Sequence, residues 1–173
     1  MAEQTGMDEV YRELQKIAAI HLSRSVRSAS MQTTQLVHEA WLKLQERGWR
    51  SKTHFLALAS RAMRMILIDA IRARMADKRQ GDRERVEWTP GIEFQALELS
   101  VPMEQMLDLD AALTELAAKD ERKAQVVEMR FFGGMEFGEI AEALSVSLIT
   151  AKRDWEFARA WLYSRLQRAS GKT

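Results

Sequence analysis

The chain has no cysteine among its 173 residues, only two prolines and two tyrosines, and a net charge of just +1. The first absence excludes disulfides, thiolate-bound metal and a cysteine nucleophile together, and it suits a reducing compartment. No apolar run approaches the roughly 18 residues of a membrane span. The opening stretch MAEQTGMDEVYREL lacks the basic start and apolar core of a secretory signal, so the expected location is cytoplasmic. Catalytic patterns are missing as well. His21, His38 and His54 fall in separate segments with no metal-ligand spacing, His38–Glu39 does not extend to HExxH, and no glycine-rich phosphate loop follows a strand. The chain is expected not to be an enzyme and to carry no metal and no cofactor.

The scarce prolines, Pro90 and Pro102, mark an organisation. No sustained helical period runs between Gly81 and Pro102, so residues 81–102 read as a linker of about 20 residues. It separates an N-terminal module, 1–80, from a C-terminal one, 103–173. The small net charge is a cancellation. Residues 50–85 hold ten Lys or Arg against four Asp or Glu, residues 86–121 hold one against nine, and residues 122–173 hold nine against six. Two basic segments flank an acidic one, a layout that fits polyanion binding at two places or two solvated charged faces.

Both modules carry helical periodicity. Val10, Leu14, Ile17 and Ala18 form one apolar face; Leu36, Val37, Ala40, Trp41 and Leu44 form another, with Gly48 as a stop. THFLALASRAMRMILIDAIRARMADKR is apolar nearly all round through its middle, which predicts a buried central helix with a basic C-terminal end. In the second module MEQMLDLDAALTELAAK and DERKAQVVEMRFF predict two helices, the latter capped by Asp120 and ended by Gly133–Gly134. No convincing alternating strand occurs. The expected fold is all-α, in two small helical domains.

GEIAEALSVSLITAKRD, residues 138–154, has the spacing of a helix-turn-helix. Ala141 supplies the small contact between the helices, and Ile140, Leu144, Val146 and Ala151 set their angle. Ser147 caps the second helix. Ala151, Trp155, Ala158, Leu162 and Leu166 then make a core stripe, which leaves Ile149, Thr150, Lys152 and Arg153 outward in the first turn and a half, where a recognition helix meets DNA. A plain helical hairpin with a charged outer face has the same spacing. Ser145 stands at a turn position that needs a left-handed backbone and usually holds glycine, at about 1 kcal/mol.

Taken together the modules resemble a sigma factor of the extracytoplasmic-function (ECF) type. Residues 112–162, ALTELAAKDERKAQVVEMRFFGGMEFGEIAEALSVSLITAKRDWEFARAWL, are similar to region 4, which in that family binds the −35 promoter element. TTQLVHEAWLKL and HFLALASRAMRMILIDAIRARMADKR are similar to region 2, which docks on the polymerase clamp and recognises and melts the −10 element. The similarity covers about 130 residues in order, linker included. It implies promoter DNA and core RNA polymerase, through its clamp and flap, as partners. On this resemblance Ile149, Thr150, Lys152 and Arg153 are the −35 contacts. Arg61, Arg64, Arg72, Arg74, Lys78 and Arg79 are candidates for the −10 strand backbone, which charge and stacking would hold. Phe55, Trp41 and Trp155 lie on apolar stripes and read as core, while Trp49 and Trp88 lie off them.

One departure from the family pattern falls on the polymerase-binding stretch, represented here by Gln32, Gln35, His38 and Glu39. ECF-type proteins usually place acidic residues just before the LVHEAW-like helix; this chain has the uncharged QTTQ, Gln32 to Gln35. Some ECF-type subgroups lacking those acids are associated with Ser/Thr protein kinases, and an anti-sigma factor is the other regulatory partner expected. The resemblance therefore brings both kinds of regulatory partner into view. Thr53, in WRSKTHF beside Arg50 and Lys52, is the leading candidate for phosphorylation, with Thr33, Thr34 and Ser51 as rivals. Two other classes of function stay open on sequence: a stand-alone helix-turn-helix regulator that dimerises on paired half-sites, and an adaptor that binds only proteins.

Overall fold

A computed structural model describes residues 2–24, 32–45, 48–77 and 103–170, and among them the structure is all-α with no strand. The expected linker at 81–102, together with Lys78, Arg79 and Trp88, lies outside the described residues.

Three helices form the N-terminal group: α1 (Ala2–Arg24), α2 (Thr33–Gln45) and α3 (Lys52–Asp77). The apolar faces read from the sequence turn inward. Leu14, Ile17 and Ala18 of α1 and Leu36, Val37, Ala40 and Leu44 of α2 are buried, as are Phe55, Ala59, Met63 and Ile71 along α3. Each large apolar side chain removed from water contributes about 1.5–3 kcal/mol, which offsets the ordering of the three helices. Ser51 starts α3, its hydroxyl accepting the His54 N–H at 3.1 Å. The Lys52 ammonium donates to Glu9 Oε1 at 2.7 Å and ties the start of α3 to α1.

The C-terminal group comprises α4 (Met103–Lys119), α5 (Glu121–Val127), α6 (Phe137–Leu144) and α7 (Leu148–Ser170). Asp120 caps α5 as expected, its carboxylate accepting the Lys123 N–H at 3.2 Å. The sequence predicts one regular helix through Phe132. Instead the chain widens into a π turn over Glu128–Phe132, and the Gly133 N–H donates to the Glu128 carbonyl five residues back at 3.0 Å. Two adjacent aromatics explain the difference: Phe131 and Phe132 are both buried, ring edge to face at 4.9 Å, and the inserted residue lets neighbours in sequence face the same interior. Gly134 then ends the turn at φ 63°. Arg165 grips Glu115 with two hydrogen bonds, 2.7 and 2.5 Å, joining α7 to α4.

The two groups touch. α3 packs against α4, the π turn and α6 as well as against α1 and α2. The glycine pair that stops the helix also lies at this contact. A Cβ on Gly133 would stand 2.1 Å from Ser60 Oγ of α3, and one on Gly134 would stand 2.5 Å from Ile20 Cδ1 of α1. No described helix is long and apolar enough to cross a membrane.

Candidate nucleic-acid interface

The C-terminal hairpin is built from its caps outward. At the start of α6 the Glu136 N–H donates to Glu139 Oε2 at 2.8 Å. At its end Ser145 adopts φ 54° and ψ 45°, the left-handed turn expected there. This lets the Val146 N–H reach back to the Ala141 carbonyl at 2.9 Å. Ser147 then caps α7, its hydroxyl accepting the Thr150 N–H at 3.1 Å. The stripe Ala151, Trp155, Ala158, Leu162 and Leu166 is buried throughout, and Trp155 meets Phe137 of α6 at 6.4 Å. Ile140 and Ala141 are buried at the crossing, as the helix-turn-helix reading requires.

With that stripe inward, the first turns of α7 face water. Ile149 is 70% exposed, Lys152 and Arg153 are exposed, and Thr150 is half-buried with its hydroxyl 2.8 Å from that of Ser147. Sequence reasoning missed two residues that shape this surface, one on it and one beneath it. Leu148 is exposed beside Ile149 and broadens its apolar patch. Asp154, the next residue after the basic pair, is buried and accepts from Arg122 Nε at 2.6 Å, with Lys123 Nζ at 3.7 Å. The Asp154 hydrogen bond raises the Arg122 pKa above its ordinary value. These contacts lock the rotation of α7 against α5 and so fix where Lys152 and Arg153 point. A charge next to two charges looks like more of the same face in sequence; only the helical angle separates them.

The α3 arginines divide. Arg61 is exposed and Arg74 half-buried. Arg64 is turned toward the C-terminal group, donating to Asp110 of α4 and, at 2.5 Å, to Glu128 Oε1 of the π turn. Arg72 donates to Asp110 Oδ2 at 2.9 Å and lies 3.6 Å from Asp69 Oδ1. Neither acid carries a local sequence signal, because they lie 46 and 64 residues from Arg64.

Gln32, Gln35 and His38 are exposed and Glu39 half-buried, with the Gln35 amide donating to Glu39 Oε1 at 3.2 Å. Leu42, one further turn along, is 52% exposed and extends this face with an apolar residue that the sequence reading did not include. Among the hydroxyls, Thr53 is 7% exposed and lies 2.9 Å from the Ser51 hydroxyl. Ser51 and Thr33 are half-buried, and Thr34 is exposed in the first turn of α2. Lys52, expected near a phosphate on Thr53, is already bonded to Glu9, which raises its pKa while Glu9 is lowered by the same hydrogen bond. Phe55 and Trp155 are core, Trp41 is partly buried, and Trp49 packs edge-on against Phe55 at 4.9 Å with part of its ring in solvent.

The fold and this surface define an all-helical protein with a helix-turn-helix at its C-terminal end. The family model for ECF sigma factors matches residues 2–168, and the chain belongs to that family. It is thus an alternative sigma factor, a DNA-binding protein of transcription initiation, in a family whose members are not enzymes. Membership implies binding to core RNA polymerase and promoter DNA. No curated protein and no solved structure matches the chain.

Proposed function

We propose that the chain directs core polymerase to its promoters through three separate surfaces. Leu148, Ile149, Thr150, Lys152 and Arg153 contact the −35 element, the α3 arginines hold the backbone of the −10 strand, and Gln32, Gln35, His38, Glu39 and Leu42 meet the polymerase clamp. The flap would engage the C-terminal module, 103–173, joined by the 81–102 linker to the N-terminal module, 1–80. The observation that carries this reading is the first turns of α7, where a capped, buried-stripe helix exposes two cations beside an apolar pair. Cations serve phosphate or guanine edges there, and the apolar pair suits a thymine methyl.

Regulation in this reading falls on the polymerase-facing surface. Phosphorylation by a Ser/Thr kinase would add about −1.5 to −2 charges where the family's acids are missing. Thr34 is exposed at the N-terminal end of α2, where the helix dipole favours an anion. Thr53 would become accessible only if the first turn of α3 opened. An anti-sigma factor is the alternative means of control.

The test is single-round transcription with purified core polymerase on promoters selected from a random library. Initiation should depend on the chain and fall when Lys152 and Arg153 are replaced by alanine. Failure to bind core polymerase, before or after kinase treatment, combined with dimeric binding to paired half-sites, would instead identify a stand-alone regulator.

A further inference from the structure

We propose that Asp154 is a positioning residue for promoter reading: held by Arg122 and Lys123 of α5, its buried carboxylate sets the rotation of α7 and thereby governs base discrimination rather than affinity for DNA. The proposal rests on reading the first turns of α7 as the −35 contact.

Arg122 meets the Asp154 carboxylate with two donors, Nε at 2.6 Å and Nη2 at 3.4 Å, the fork geometry that fixes direction as well as distance. Lys123 Nζ stands 3.7 Å from the same carboxylate. It also donates to Asp120, the cap of α5, and lies 5.0 Å from the centre of the Phe157 ring on α7. One cation is thus shared between the acid that starts α5 and the acid that faces it from α7. The Asp154 side chain is only 7% exposed, so salt screens this network less than a surface pair. The Val146 N–H ties the start of α7 to α6, and the Asp154 network ties the helix to α5 about two turns further on.

The apolar packing around Asp154 gives this tie its importance. Two alanines, Ala151 and Ala158, flank Trp155 in the buried stripe. Helices resist turning against one another through interlocking side chains, and a methyl group offers little to catch. Rotation of α7 by about 20° would carry a group about 6 Å from its axis through about 2 Å. A hydrogen bond to a base edge survives only a few tenths of an ångström of such movement. Attraction between a cation and a phosphate falls off far more slowly with distance and carries no sequence information. Loss of register therefore removes discrimination before it removes binding.

The experiment uses the full chain with core polymerase, in single-round transcription from a selected promoter and from versions with each −35 base pair replaced in turn. Lys152→Ala and Arg153→Ala first mark the base pairs those side chains read. At those pairs Asp154→Asn and Arg122→Gln should each lower the ratio of original to replaced initiation about fivefold or more, with helix content and core-polymerase binding retained. The two variants change net charge in opposite senses, so a loss they share does not come from charge. Their combination should fall no further than either alone, as residues of one shared contact do. Glu156→Gln, at an exposed acid of the same helix paired with Arg159, should leave the ratios unchanged. A merely structural fault would lower initiation from all the promoters alike. That result, unchanged ratios in Arg122→Gln, or an equal loss in Glu156→Gln overturns the proposal. Where Asp154→Asn loses helix content, Arg122→Gln decides alone. The underlying reading is judged separately: no effect of Lys152→Ala and Arg153→Ala rejects α7 as the −35 reader, whereas an effect there with intact ratios in the Asp154 and Arg122 variants rejects the positioning alone.

Discussion

Ser145→Gly should stabilise the protein, and the reason lies in a single backbone angle. Ser145 sits at φ 54° and ψ 45°, the only non-glycine residue with positive φ among those described, and its side chain is exposed. An L-residue pays about 1–2 kcal/mol for the left-handed conformation because its Cβ crowds the following carbonyl. Glycine avoids that crowding but gives the unfolded chain more freedom, which takes back about 0.4–1 kcal/mol. The expected net gain is about 0.5–1 kcal/mol. For one cooperative transition of a chain this size, the midpoint should rise by about 1–4 °C, and by more if the C-terminal group melts alone. Thermal unfolding followed by circular dichroism provides the measurement. Ser145→Ala removes the hydroxyl and keeps the Cβ, so it should give no gain. A midpoint for Ser145→Gly at or below that of the original protein, or an equal rise from Ser145→Ala, would refute the assignment of strain to this turn.

Replacing Lys152 and Arg153 by alanine should weaken promoter use by about 1–3 kcal/mol for each side chain that reads a base, with helix content and core-polymerase binding unchanged; the transcription assay and a pull-down check the two halves. Trp155→Ala should cost about 3–5 kcal/mol and be read directly in denaturant titration, since the ring is buried against α6. Acid should weaken the α5 cap. The Lys123 side-chain hydrogen bond, helped by the Lys123 backbone N–H, holds the Asp120 carboxyl below its ordinary pKa. Its contribution is therefore present above the unfolded-state value of about 4. It is lost as pH falls through the folded value. Asp120→Asn should flatten that part of the stability–pH curve, and an unchanged curve would remove Asp120 from the account.

Much of the fold was legible because its signals are local. The apolar steps along α1, α2 and α7, the Asp120 and Ser147 caps and the strained Ser145 turn each depend on residues within one or two turns of one another, and periodicity reports such relations directly. The π turn was not legible, because FF reads equally well as the end of a regular helix until both rings must be buried. Nor could the sequence tell Arg61 from Arg64: both sit in one basic run, and only the fold turns one to water and the other to Asp110 and Glu128. Asp154 was hidden for the converse reason, an acid that looks like surface beside Arg153 but is buried by helical angle. Thr53 illustrates a limit of cap reasoning. Ser51 and Thr53 both suit the start of α3, and the chain uses the first and encloses the second.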